Sequence, residues 1–149
     1  KDIAGNWYAG NLAVVKEDMH NGAGTIKAGS YISNEYGLPF AYQIRPETVS
    51  QFTGLTDKNG NKIFEGDIVR FIWWWFDGAE RESELTGTIV YSSDNMSFQL
   101  KGVKNKEWRD FVGVDEHDMD YLTPFSELNF CDADFEIIGN IHDNPELLT

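Results

Sequence analysis

A disulfide framework is excluded at the outset, because the chain has a single cysteine, Cys131, and so no intrachain partner for it. Acidic neighbours Asp132 and Asp134 oppose thiolate formation, so Cys131 reads as a small buried hydrophobe in a reducing compartment rather than a nucleophile. No apolar run approaches the roughly 18 residues that a membrane-spanning helix needs. The opening KDIAGNWYAGNL has no charged segment followed by a long apolar core, so no secretory signal is expected and the default location is the cytoplasm. Two catalytic signatures are also missing: a Gly-x-Ser-x-Gly nucleophile elbow and a phosphate-binding glycine loop with lysine. An enzyme is therefore the least favoured of the functional readings.

Basic charge is scarce, and unevenly so. Residues 1–76 carry 7 basic and 8 acidic side chains, whereas residues 77–149 carry 5 basic and 17 acidic ones. A second half this acidic repels phosphate backbones, which speaks against direct nucleic-acid binding, yet it suits a basic partner or an imitation of DNA. Simple solubility is the plainer account of the same charge. Aromatic residues are plentiful at 14%, which argues against disorder. With 149 residues the chain can bury a core without a metal or disulfide staple.

What is present is a series of short strand-like runs with turn signals between them. Trp7-Tyr8, Leu12–Val15, Thr25–Lys27, Tyr31-Ile32, Tyr42–Ile44, Thr86–Tyr91, Met96–Leu100 and Phe135–Ile141 read as strands. The polar, glycine-rich stretch 17–24 reads as a mobile loop, and 34–39 as a further loop. Pro46 marks a strand or turn leading into Gln51-Phe52-Thr53, residues 124–128 suit one helical turn with Thr123 as cap, and Asn144–Leu148 another. The absence of any long 3.6-residue apolar stripe predicts a mainly β fold, a small barrel or sandwich of short antiparallel strands with minor helix. Residues 1–149 form one domain on this reading, divisible into two β subdomains (about 1–50 and 51–149) that share a core.

The most tightly specified backbone lies in residues 51–70, QFTGLTDKNGNKIFEGDIVR. Asn59-Gly60 is a strong hairpin signal, with both central residues able to take positive φ. Asp57, Asn59 and Asn61 also stand where alternate calcium ligands would, but the sixth and twelfth places hold Lys62 and Ile68 instead of glycine and glutamate. The hairpin is therefore preferred. Glu65-Gly66-Asp67 then turns the chain into Ile68–Phe76, where Phe71, Trp73 and Trp75 share one side and Ile72, Trp74 and Phe76 the other. A strand apolar on both sides requires cover on both sides, from the chain itself or from a partner.

The run 46–69, PETVSQFTGLTDKNGNKIFEGDIV, resembles the signature of the YopX family of phage and prophage proteins, and FEIIGNIHDNPELL at 135–148 resembles its closing motif. Trp7–Leu12 and Gly29–Ile32 are similar to shorter elements of the same family. The residues that carry this structural signature are Gly54, Asp57, Asn59, Gly60, Glu65, Gly66, Asp67, Gly139, Asn140 and Pro145. The resemblance implies a mainly β protein of a phage or prophage acting inside a bacterial host. It brings no established enzymatic activity, so it assigns no catalytic residue, and it implies no cofactor. The step Glu65–Val69 is also similar to the entry strand of small barrels of the Src-homology type, which places such a barrel in the second half.

Two places could carry a contact. Trp73, Trp74 and Trp75, with Trp108 further on, are the candidate surface for a host or phage protein or for self-association; the alternative for Trp73–Trp75 is that one face of the strand fills the core and the other packs on the N-terminal strands. The basic residues Lys101, Lys104, Lys106 and Arg109 around Trp108 could grip a single strand, but the patch is short and interrupted by Glu107. Asp115, Glu116, Asp118 and Asp120 form an acidic surface around His117, which reads as a solvated loop rather than a metal site. The expected function is a non-enzymatic protein-binding module, with an acidic DNA mimic or inhibitor of a nucleic-acid-binding host protein second and an enzyme of unrecognised type third.

Overall fold

A computed structural model describes residues 1–33, 41–76, 78–103, 105–113, 122–124 and 135–148, which form twelve strands and one α-helix. The chain divides into two compact units, Lys1–Val49 and Ser50–Thr149.

In the first unit, β1 (Asn11–Val15), β4 (Gly29–Ser33) and β5 (Ala41–Ile44) form an antiparallel sheet in the order β1-β4-β5. The close approach of the chain at Gly10 to the Ser33 carbonyl leaves no room for a Cβ, which accounts for the glycine before β1. The stretch expected as a mobile loop instead forms a hairpin of β2 (Met19–Asn21) and β3 (Gly24–Ile26). A two-residue turn at Gly22-Ala23 and a 2.8 Å contact between His20 Nδ1 and Thr25 Oγ1 hold it. Trp7-Tyr8, expected as a strand, lies outside the strands found among the described residues; Tyr8 stacks on Tyr42 at 4.0 Å and donates its hydroxyl to Asp2. Hydrogen bonds from Asn6 hold the Asp2 carboxyl down at about 2. Pro46–Thr48 makes one 3-10 turn. The loop expected at 34–39 lies outside the described residues.

The second unit begins with the hairpin of β6 (Phe52–Thr56) and β7 (Lys62–Phe64). Its turn differs from a two-residue Asn-Gly type. Gly60 N–H closes onto the Asp57 carbonyl at 2.9 Å, and of the two central residues Gly60 alone takes positive φ, at 81°. There follow β8 (Asp67–Phe76), β9 (Glu80–Ser92), β10 (Ser97–Lys101), α1 (Lys106–Val112), β11 (Leu122–Pro124) and β12 (Glu136–Asn140). Five of these strands make an antiparallel sheet in the order β11-β10-β9-β8-β12.

The mainly β, antiparallel character is as the sequence indicates, but closure into a barrel is not found. Among the described residues β11 and β12 are the two edges of an open sheet and do not pair, and β6-β7 is a separate two-stranded sheet. Thr123 and Pro124, read as the start of a helical turn, sit in β11 opposite Leu100 and Gln99. At the C-terminus Pro145–Leu148 does form a 3-10 turn.

The core of this unit is built from Ile63, Val69, Phe71, Trp73, Leu85, Ile89, Leu100, Val103, Trp108 and Phe135. Helix α1, which holds Lys106, Trp108 and Arg109 of the basic patch, lies over it. Asn105 caps the helix by accepting from Trp108 N–H at 2.9 Å, and Gly113 ends it in the left-handed region. Among the described residues, no helix is long and apolar enough to cross a membrane.

Candidate interaction surface

The sequence signature is a junction that fixes where β8 starts. Asp57 accepts Asn59 N–H and Asn61 N–H on Oδ1, at 2.9 and 2.8 Å, and the Asn61 amide and Ile137 N–H on Oδ2, at 3.1 and 3.5 Å. Burial alone would raise its pKa, but these donors outweigh it and hold the carboxyl below the ordinary aspartate value. Its two oxygens take all four of these donors, three of them from the turn itself. Glu65 N–H donates to the Gln51 carbonyl, and Gly66 ties β9 to the turn after β12, donating to Ile89 O at 2.8 Å and accepting from Ile141 N–H at 2.9 Å. Asp67, buried, accepts Phe64 N–H at 2.7 Å and the Asn140 amide at 2.9 Å; burial still pushes its carboxyl above the ordinary value. Gly139 sits at the register shift of β12, where a Cβ would fall 2.8 Å from Asn144 Oδ1 and Leu147 Cδ1, and Pro145 opens the 3-10 turn beside it. Gly54, at φ 91°, lies in the irregular stretch of β6. All these residues position the scaffold.

From that junction β8 and β9 run out as an arm. β12 pairs with β8 over Asp67–Arg70 and β10 with β9 over Thr88–Ser92, so Phe71–Phe76 and Glu80–Leu85 pair with each other alone among the described strands. One face of the arm carries Phe71, Trp73, Ser83 and Leu85, all buried. Helix α1 covers it, with Trp108 in the core, Ser83 donating to Glu107 at 3.1 Å and the Asn105 amide to the Glu84 carbonyl at 3.4 Å. Trp73 and Trp108, read as surface candidates, are thus core residues, 9% and 1% exposed. Alternation separates Trp73 from Trp74, and helix α1 covers the Trp73 side and brings Trp108 into the same core.

The opposite face opens steadily toward the tip. Ile68 is fully buried, whereas Ile72 is 42%, Trp74 63% and Phe76 71% exposed. Directly across from these three stand Glu84, Glu82 and Glu80, all exposed. Successive carboxylates of that row are about 7 Å apart by strand geometry. Glu84 lies 3.9 Å from Arg70 Nε, while among the described residues Glu80 and Glu82 form no ion pair. Arg70 is held mainly by Glu136 at 2.8 Å, which also takes Lys58 at 3.0 Å. Trp75 lies in β8, but its side chain is outside the described residues.

Of the basic patch, Arg109 is buried with Nε donating to the Val103 carbonyl at 2.7 Å, Lys106 pairs with Asp110 at 3.1 Å, and Lys104 lies outside the described residues. Asp115, Glu116, His117, Asp118, Asp120 and Cys131 also lie outside them. Among the described residues no cluster of three or more potential ligands could hold a metal. A small cavity of about 170 Å³ is lined by Glu84, Thr86, Gly102, Asn105, Leu147 and Leu148, of which Glu84 alone ionises.

A scan against family models matches YopX protein over residues 10–149. The chain belongs to the YopX family. The match runs through β1, the signature junction, the whole β8–β9 arm and the closing 3-10 turn, so the arm is part of the family domain and not an appendage to it. Searches of curated proteins and of solved structures each return no match.

Helix α1 is the element that the sequence reading missed. Its signal was there: a capping asparagine at 105, Glu107 in the first turn, Trp108, Phe111 and Val112 at helical spacing, and Gly113 as terminator.

Proposed function

We propose that this YopX protein is a phage or prophage accessory protein that works as a non-enzymatic binding module, engaging a host or phage protein in the bacterial cytoplasm through the open face of the β8–β9 arm. The observation that carries the reading is Trp74. It stands 63% exposed between Ile72 and Phe76, on a strand whose other face is filled by the chain's own helix. Covering three such side chains is worth several kcal/mol before the costs of association, which is the role that exposed tryptophan plays at contact centres. The lack of a nucleophile elbow and of a phosphate loop in the sequence supports a non-enzymatic role. The test is capture of partners from host lysate by wild type and by Trp74→Ala at low and at high salt. A specific partner kept at high salt by wild type and lost by the variant supports the reading; identical retention by both proteins refutes it.

A second reading, an acidic DNA mimic, draws on the row Glu80, Glu82 and Glu84 and on the excess of 17 acidic over 5 basic residues in 77–149. A mimic's affinity for its target collapses as ionic strength rises and is indifferent to Trp74→Ala.

A further inference from the structure

We infer that the partner segment received by the β8–β9 arm is a basic amphipathic helix; this rests on the reading of that face as a contact surface. Two parallel rows define the face, one apolar (Ile72, Trp74, Phe76) and one acidic (Glu84, Glu82, Glu80), paired across the strands residue by residue. The acidic row is a set of like charges at about 7 Å intervals, two of them without an ion pair among the described residues. A second copy of the chain would bring the same row and a net charge of −13 against it, so the face does not complement itself. An extended strand laid on the face presents one row of side chains to it. A helix with an apolar stripe bordered by lysine or arginine presents both rows together, because long cationic side chains reach sideways from the stripe. From Ile72 to Phe76 the face spans about 14 Å, the length of about nine helical residues.

The experiment uses three synthetic helical peptides and the full chain: one with a leucine stripe bordered by lysines, one with glutamates in place of those lysines, and one with the lysines kept and the leucines replaced by serines. Binding is read by the anisotropy of a dye on the peptide. The leucine–lysine peptide should bind at least about tenfold more tightly than either other peptide, the order of effect of three exposed charge pairs. Trp74→Ser, and separately the triple change of Glu80, Glu82 and Glu84 to Gln, should each weaken it about tenfold, with circular dichroism confirming the fold and Glu82→Lys serving as a single-site check. Equal binding of the leucine–lysine and leucine–glutamate peptides, with both weakened by Trp74→Ser, would overturn the basic helix and keep the contact surface. Equal binding of the leucine–lysine and serine–lysine peptides would reduce the interaction to counter-ion attraction and overturn the inference. If Trp74→Ser changes the binding of no peptide, the surface reading and this inference fall together.

Discussion

Asn140 donates its side-chain amide to the buried carboxylate of Asp67 at 2.9 Å, across 73 residues of chain. The two are also direct cross-strand partners where β12 meets the first residue of β8. This one contact joins the two long motifs of the sequence, the one ending in Glu65–Val69 and the one around Gly139-Asn140. Asn140 goes on to accept His142 N–H on its Oδ1 at 3.0 Å, while its backbone carbonyl takes Asp143 and Asn144 N–H at 3.0 and 2.8 Å. The same residue therefore fixes both the root of the arm and the turn that follows β12.

Removing it should be felt across the second unit. Asn140→Ala leaves a buried carboxylate one donor short, a loss of about 1–3 kcal/mol. Asn140→Asp should cost more at neutral pH, because it sets a second carboxylate against Asp67, and part of that excess should return as pH falls. Urea unfolding of both variants at neutral and mildly acid pH measures this. Equal stability of wild type and Asn140→Ala would mean that the contact contributes nothing.

Asp57 and Asp67 should pull the pH dependence in opposite directions. Asp67 is raised by burial, so its charged form costs stability above its folded pKa; that cost is relieved as pH falls through the folded value toward the unfolded one. Asp57 is lowered by its N–H donors once these outweigh burial, so its contribution is full above the unfolded pKa and is lost as pH falls through the folded one. Wild type should gain from Asp67 as pH falls toward about 4, the ordinary aspartate value, and should lose the Asp57 contribution below it. Asp57→Asn should be weaker at neutral pH by about 1–3 kcal/mol and fall less in acid. Asp67→Asn should remove the gain on the approach to about 4. Denaturation midpoints across that range test all three curves.

The glycines of the signature should separate by mechanism. Gly60→Ala meets nothing within 4 Å and suffers only the left-handed backbone cost, about 1–2 kcal/mol, at φ 81°. Gly66→Ala has that cost at φ 84° and in addition crowds the Ile141 side chain at 3.3 Å, so it should be the more damaging. Gly139→Ala has no positive-φ cost, but its Cβ falls 2.8 Å from Asn144 and Leu147, so the change should loosen the C-terminal 3-10 turn first. Thermal melts rank the three, and hydrogen exchange at Leu147 locates the last.

Much of the scaffold is legible from local chemistry. Gly66 and the Asp57–Asn61 turn announce themselves because positive φ and side-chain-to-backbone hydrogen bonds are encoded within a few residues. The open sheet is not legible, because pairing between β12 and β8 is set by contacts 66 or more residues apart, such as Arg70 to Glu136. Helix α1 was hidden by length: at 7 residues it is stabilised by its caps and by the buried Trp108, with little from helix propensity. The binding face was half legible. Strand alternation separates Trp73 from Trp74 without saying which side the chain covers, and that is decided by a helix thirty residues further on.

Neighbouring tryptophans should therefore respond oppositely. Trp73 belongs to the core with Phe71, Leu85 and Trp108, so Trp73→Ala opens a cavity and should cost about 3–5 kcal/mol, with Trp108→Ala similar. Trp74 has no such role: it is 63% exposed on the far face, opposite Glu82, and Trp74→Ala should change stability by no more than about 0.5 kcal/mol. A residue so costly to leave in water, yet dispensable to folding, is what a contact surface requires and a core does not. The paired result, Trp73→Ala unfolding early while Trp74→Ala melts with wild type and loses its partner, assigns the two faces of β8 to folding and to binding. Equal destabilisation by both changes would instead place Trp74 in the packing of the domain and remove the basis for a docking face on the arm.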